Sequence, residues 1–112
     1  MSNEDWANRS CEPCRGGVSP MARDEIRQEL ADLTGWSLSE DGTTISRRFE
    51  FKGFAKAVEM ANLAAWLGNK QGHHPDISFG WGYCKVAFTT HDSGGVTEND
   101  LICAAKLNAL VA

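Results

Sequence analysis

All three histidines of this chain lie in one stretch, GHHPDISFGWGYCKVAFTTHD, which spans residues 72–92. His73 and His74 are adjacent and precede Pro75, whereas His91 lies near the other end of the stretch. Imidazole titrates near neutral pH, so it can both give and take a proton in a catalytic step. The stretch therefore predicts an acid–base site, provided that the fold brings its two ends together.

Three interpretations of these histidines are open on residue types alone. They could be ordinary loop side chains, the ligands of a zinc ion with one open position, or an acid–base pair that works without metal. Adjacent residues of an extended segment point to opposite sides, so His73 and His74 would not easily bind the same ion. We favour acid–base chemistry and predict no metal and no cofactor beyond the substrate.

The elements around the histidines explain how the two ends of the 72–92 stretch could come together. A run with Cys84, Val86 and Phe88 on one face alternates with period two, and it follows a Gly-Trp-Gly turn after another short strand. Strands of a hairpin lie side by side, so residues 74 and 91 reach the same open end. We expect the three imidazoles to lie there, near the start of a last helix.

The remaining elements complete an α-β-β-α-β-β-α order. Apolar periodicity predicts helices from about Pro20 to Leu33, from 54 to about 70, and after a capping box of Thr97 and Asp100. Asp41-Gly42 is a hairpin dipeptide between two strands of alternating pattern. This order predicts an α+β fold with a four-stranded antiparallel sheet whose one face is covered by helices.

The N-terminal residues have a different character. Residues 1–19 are polar, contain CEPCRGG and hold few apolar side chains, so we expect an arm before a domain that spans 20–112. The two cysteines of CEPC precede Arg-Gly-Gly rather than a helix, which argues against a redox motif. We interpret Trp6, Trp66 and Trp81 as packing residues.

Composition excludes several classes of protein. The formal charge of −4 and the lack of a basic run argue against binding nucleic acid through its phosphates. No segment has the length and apolarity of a membrane span, and the first residues do not form a secretory signal. We therefore expect a cytoplasmic protein with reduced cysteines. With 112 residues it has a small core, which favours a homo-oligomer.

The histidine stretch, the GGVTEND that follows it, the N-terminal CEPCRGG and the segment RFEFKGFAKA together resemble the bacterial pterin-4a-carbinolamine dehydratase family. The resemblance implies a four-stranded antiparallel sheet with helices on one side, assembled as dimers or tetramers. It also implies dehydration of 4a-hydroxytetrahydropterin to quinonoid dihydropterin. That reaction recycles the cofactor of aromatic amino-acid hydroxylases, so it implies a functional link to such a hydroxylase.

The resemblance also implies roles for individual residues. The active-site histidines of the family match His73, His74 and His91. Substrate-binding positions match Pro75 and Asp100, and a pterin-side tryptophan matches Trp36.

The chain departs from the pattern of the family at Asn69, where an acidic residue usually stands four positions before the first histidine of the pair. The amide can form hydrogen bonds with a pterin or a histidine but brings no charge. Some relatives act instead as dimerisation cofactors of a transcription factor or as assembly partners of other enzymes. A non-catalytic role of that kind is the alternative to catalysis.

Overall fold

The structure, a computed structural model, describes residues 1–13 and 18–112. Its elements in chain order are the helices and strands α1 (Asn3–Ala7), α2 (Arg23–Leu30), β1 (Ser37–Leu38), β2 (Ile45–Glu50), α3 (Ala55–Gln71), β3 (Asp76–Gly80), β4 (Tyr83–Phe88), a 3₁₀ turn (His91–Ser93) and α4 (Glu98–Val111). The predicted α+β class is confirmed. The short helix α1, which the sequence did not predict, precedes the predicted elements.

The four strands form one antiparallel sheet in the order β1-β2-β4-β3. β1 and β2 form one hairpin and β3 and β4 form another, and the two hairpins join where β2 pairs with β4. The ladder between β3 and β4 begins with Asp76 opposite Ala87. The chain that enters β3 and the chain that leaves β4 therefore lie together at one end of the sheet.

The core lies between the sheet and the helices. Cys84, Val86 and Phe88 are fully buried on one face of β4, as their alternation predicted. Helix α4 contributes every side chain from Leu101 to Ala105, and also Leu107, to this core. Burial of such apolar side chains stabilises the fold by roughly 25 cal/mol for each Å² removed from water.

Helix α3 has 17 residues and packs through its small side chains. Its buried positions Ala57, Ala61, Ala64 and Gly68 recur at helical spacing, which places the alanine face against the sheet. The prediction that Trp66 packs in the core is wrong, because Trp66 lies on the outer side of this helix and is 51% exposed. No helix within residues 1–13 and 18–112 is long and apolar enough to cross a membrane.

The other two tryptophans that were interpreted as packing residues differ from each other. Trp6 of α1 is 3% exposed and belongs to the core, which confirms its interpretation. Trp81 occupies the two-residue turn between β3 and β4 and is 73% exposed, so the packing interpretation is wrong for it. A turn position has no opposing layer to cover a side chain, which accounts for the exposure.

Helix α2 begins three residues later than Pro20 and ends at Leu30. The backbone N–H of Met21 donates to the carbonyl of Val96 at 2.8 Å, and this bond holds the chain before the helix against the loop that precedes α4. Ala22, in extended geometry, is the N-cap. Leu33 is nevertheless buried, in the turns that follow the helix. A contact distant in the sequence thus overrides the local Ser-Pro start signal.

Candidate active site

The end of α3 sets the position of the histidine pair. Gly72 ends the helix in left-handed geometry at φ 66°, and the N–H of His73 donates to the carbonyl of Gly68 at 3.1 Å. Gly68 is buried against the returning chain, where a Cβ would lie 2.5 Å from Cδ of Pro75. The missing side chain of Gly68 therefore lets the His-His-Pro segment fold back tightly onto the helix.

The ring of His73 is held inside the molecule. Only 6% of the residue is exposed, and its ring stacks on that of Phe88, with centroids 6.1 Å apart and planes 12° apart. Nε2 lies 2.5 Å from Oδ1 of Asp100. A charge-assisted bond of this kind fixes both the orientation of the ring and the nitrogen that carries the proton toward the carboxylate.

The carboxylate of Asp100 is fully buried and has several partners. Its Oδ2 accepts a hydrogen bond from the hydroxyl of Thr90 at 2.8 Å and another from the backbone N–H of Thr97 at 2.9 Å. The second of these is the predicted capping-box bond, with Asp100 at the third position of α4. The hydroxyls of Thr90 and Thr97 also lie 2.8 Å apart. These donors, together with His73, compensate the cost of burying a carboxylate.

The environment changes the proton affinity of His73. Burial alone lowers the pKa of its imidazole, but the hydrogen bond and charge of Asp100, assisted by the charge of Cys11, outweigh that effect. The pKa of His73 is therefore raised above its ordinary value of 6.5. At neutral pH this ring carries a proton more often than a free imidazole does.

His74 and His91 are exposed, in contrast to His73. His74 precedes β3, and His91 opens the 3₁₀ turn after β4, so both lie at the end of the sheet where the β3–β4 ladder begins. Asn69 is also exposed, in the last turn of α3. The structure thus brings the predicted histidines to one end of the sheet, with one imidazole buried and two facing solvent.

Trp36, the predicted pterin-side residue, is buried in the core. Its ring lies 5.8 Å from that of Phe88, which also stacks on His73. Its indole N–H donates to Oδ1 of Asn108 at 2.9 Å. Trp36 thus supports Phe88 from within the core, and its polar atom already has a partner.

A cavity of about 460 Å³ lies next to the network around Asp100. Thr90 and Thr97 line it, together with Arg9, Glu98 and Ile102. Arg9 and Glu98 form an ion pair with each other. Among the residues that the structure describes, no histidine lines this cavity.

Sequence reasoning did not single out Thr90 or the close packing of Gly68. Thr90 follows Cys84, Val86 and Phe88 with period two, so the alternation already placed it on the buried face. A glycine inside a helical pattern, as at position 68, indicates a close approach by another part of the chain. Within the described residues, no group of three or more His, Cys, Asp or Glu side chains has the arrangement of a metal site.

Comparison with known proteins gives a consistent result. The family profile described as pterin 4 alpha carbinolamine dehydratase matches residues 19–110. A protein of Paracoccus denitrificans named for this dehydratase is 50% identical over 93 residues, covering 83% of this chain and 87% of its own length. A Nitrosospira multiformis protein of the same name is 41% identical over 107 residues, covering 96% and 93% of the two chains.

Solved structures show the same similarity. The crystal structure of a "transcriptional coactivator/pterin dehydratase" from Brucella melitensis superposes with a TM-score of 0.76 at 32% identity. It covers 84% of this chain and all of that one. A pterin dehydratase-like protein identified as a RuBisCO assembly factor superposes with a TM-score of 0.58 at 24% identity, over 70% of this chain and 90% of its own. At that identity the second similarity concerns the fold alone.

Proposed function

Because this chain belongs to the pterin 4 alpha carbinolamine dehydratase family, we propose that it dehydrates 4a-hydroxytetrahydropterin to quinonoid dihydropterin by histidine acid–base catalysis. The observation that carries the proposal is the placement of the histidines at one end of the sheet, where a buried carboxylate orients His73. An aromatic amino-acid hydroxylase would supply the substrate in tetrahydropterin recycling.

The reaction needs two proton transfers. A base removes the proton from N5, the electron pair of that bond forms the C4a–N5 double bond, and an acid protonates the departing 4a-hydroxyl to give water. The raised pKa of His73 suits the acid, which must carry a proton at neutral pH. With Nε2 bonded to Asp100, the proton would leave through Nδ1. His74 then takes the N5 proton, and His91 orients the hydroxyl.

The remaining predicted site residues have supporting tasks in this proposal. Pro75 packs on Gly68 and fixes the direction in which the histidine pair leaves α3. Asp100 orients His73 from beneath the site. Asn69, on the exposed end of α3, offers an amide to the pterin, and Trp36 supports the pocket through Phe88. None of these steps requires a metal or a further cofactor.

A dehydratase assay on the pterin carbinolamine tests the proposal. We expect turnover above the enzyme-free rate, and we expect His74→Ala and His91→Ala each to lower kcat by roughly 10² to 10⁴. Both side chains are exposed, so the melting temperature should change little. Asp92→Ala, at the exposed neighbour of His91, is the matched control and should retain full turnover. Full activity in both histidine variants would refute the imidazole mechanism.

Exposed aromatic side chains support self-association. Phe54 and Phe79 lie with ring centroids 6.1 Å apart and are about half exposed, next to the turn that presents Trp81. Covering such a patch in a homodimer or homotetramer would bury apolar surface that one chain leaves in water. Light scattering at micromolar concentration should detect an oligomer, and a single-chain species throughout would contradict this.

The same aromatic patch is the observation that favours the second candidate function, a non-catalytic partner protein. Such a protein would bind another protein through this patch and would not need the histidines. The dehydratase assay separates the two candidates, because the absence of turnover above the enzyme-free rate would exclude the dehydratase and favour the partner role.

A further inference from the structure

A pair of thiols lies outside the histidine site. Sγ of Cys11, in the N-terminal segment, is 3.4 Å from Sγ of Cys103 in α4. Both cysteines are free thiols at this separation. Cys103 lies one helical turn after Asp100, on the same side of α4, so the pair is adjacent to the buried end of the candidate site.

Hydrogen bonds hold Cys11 in this position. Its backbone N–H donates to Oε1 of Gln71 at 3.2 Å, at the end of α3. The next residue, Glu12, forms two hydrogen bonds with the side-chain amide of Asn99. The backbone N–H of Glu12 donates to Oδ1 of Asn99 at 3.0 Å, and Nδ2 of Asn99 donates to the backbone carbonyl of Glu12 at 2.7 Å. The fold has thus already brought together two thiols that are 92 positions apart in the sequence.

The two thiols differ in access and acidity. Cys103 is fully buried, and the neighbouring Cys11 together with burial raises the pKa of its thiol. Cys11 is partly exposed, and the hydrogen bond from Cys103 lowers its pKa, assisted by the charges of His73 and Lys106. A low pKa and access to solvent are what distinguish a reactive thiol from an inert one.

We propose that Cys11 and Cys103 form a redox-reactive pair, which a low-molecular-weight disulfide oxidises to a bond that ties the N-terminal segment covalently to α4. Cys11 attacks the small disulfide first, because it is partly exposed whereas Cys103 is fully buried. Cys103 then resolves the mixed disulfide, because its sulfur is already in contact with that of Cys11.

Oxidised glutathione can serve as the small disulfide, and the atoms and electrons of the exchange then balance. The Cys11 thiolate attacks one glutathione sulfur and forms a mixed disulfide, and the first glutathione leaves as a thiolate that takes up the proton lost by Cys11. Cys103 loses its proton and attacks Sγ of Cys11, and the second glutathione leaves with that proton. The protein loses two electrons and two protons, and the glutathione disulfide gains them.

The experiment uses the full-length chain carrying Cys14→Ser, so that Cys11 is the only cysteine in the tryptic peptide spanning residues 10–15. After incubation with oxidised glutathione and alkylation, we expect that peptide joined to the one spanning residues 86–106. The cross-link closes a long loop, so the oxidised protein should melt at least about 5 °C above the reduced one. Cys84, buried in the sheet, is the internal control and should be alkylated only after unfolding.

Single variants test the order of the two steps. Cys103→Ala should accumulate the mixed disulfide on Cys11, whereas Cys11→Ser should leave Cys103 unmodified because small disulfides cannot reach it. Three results would overturn the proposal: no reaction at Cys11, a mixed disulfide that persists with Cys103 present, or a Cys11–Cys14 bond as the main product when Cys14 is restored.

Discussion

The side chain of Asp100 has two roles at the residue scale. It caps α4 by accepting the N–H of Thr97, and it binds the buried ring of His73. The first role follows from local sequence, since Thr and Asp stand at capping-box spacing. The second depends on a residue 27 positions earlier. One carboxylate therefore couples the start of the last helix to the end of α3.

Asp100→Asn should make the free energy of unfolding depend differently on pH. The pKa of His73 is higher in the folded state than its unfolded value of 6.5. The contribution of the charged His73–Asp100 pair to stability is therefore fully present below pH 6.5, and it is lost as the pH rises through the folded pKa. Breaking a buried pair costs about 3 kcal/mol. We expect the stability difference between wild type and Asp100→Asn to be largest near pH 6 and smaller at pH 9. Urea titrations measure it, and a difference that stays constant with pH would contradict the charged pair.

Asn69→Glu is expected to shift the pH–rate profile. The residue lies in the last turn of α3, just before the histidine pair. A carboxylate there favours imidazolium and raises the pKa of a nearby histidine, so the base becomes neutral only at higher pH. The acid limb of kcat/KM should therefore move upward.

Asn62→Glu provides the matched control for this shift. It introduces the same charge at an exposed position earlier on α3, so it should leave the limb in place. An unchanged or lowered limb in Asn69→Glu would show that residue 69 does not interact with the catalytic histidines.

At the element scale, the junction between α3 and β3 decides where the histidines lie. Gly68 allows Pro75 to approach the helix, and Gly72 turns the chain through its positive φ. The Pro75 ring thus lies where a Gly68 side chain would be. This close contact determines how tightly the histidine pair packs against the end of α3.

Gly68→Ala should destabilise the fold, although alanine normally stabilises a helix relative to glycine by roughly 0.5–1 kcal/mol. The added Cβ would lie 2.5 Å from Cδ of Pro75, and overpacking of this kind costs about 1–3 kcal/mol. Gly72→Ala serves as the comparison, because its Cβ would have no neighbour within 4 Å and only the backbone is strained. A stabilised Gly68→Ala variant in chemical denaturation would refute the tight junction.

The elements that the sequence predicts correctly are those that local signals determine. Both hairpins form where Asp41-Gly42 and Trp81-Gly82 provide the turn. The predicted start of α2 was wrong because the hydrogen bond between Met21 and Val96 joins segments that are distant in the sequence. The orientation of α3 was also missed at Trp66, since periodicity alone did not distinguish the alanine face from the aromatic one. The sequence pattern predicted histidines near the start of the last helix, but not the hydrogen bond between His73 and Asp100, which depends on the tertiary packing of α3 and α4.

At the scale of the whole molecule, the N-terminal segment is packed into the body of the fold. Helix α1 packs on α4, where Asn3 donates to the carbonyl of Ala105 at 3.1 Å and Lys106 donates to that of Ala7 at 2.7 Å. The division into an arm at 1–19 and a domain at 20–112 remains a prediction. The contacts of α1 make the stability of the two parts interdependent.

Trp6→Ala measures how much the N-terminal segment contributes to the whole. Trp6 is 3% exposed, and its indole N–H donates to Oε2 of Glu29 at 2.8 Å, so it joins α1 to α2 as well as to the core. Truncating a buried tryptophan costs about 3–5 kcal/mol. We expect a loss of this size in urea denaturation.

Trp81→Ala removes the same side chain from a position that is 73% exposed and should change stability by less than about 0.5 kcal/mol. The pair therefore separates loss of packing from loss of a tryptophan as such. Equal, small effects in both variants would mean that α1 contributes little to the free energy of unfolding and that the rest of the chain accounts for the stability of the fold. A large effect for Trp6 alone would mean that packing of α1 on the rest of the chain contributes to the stability of the whole fold.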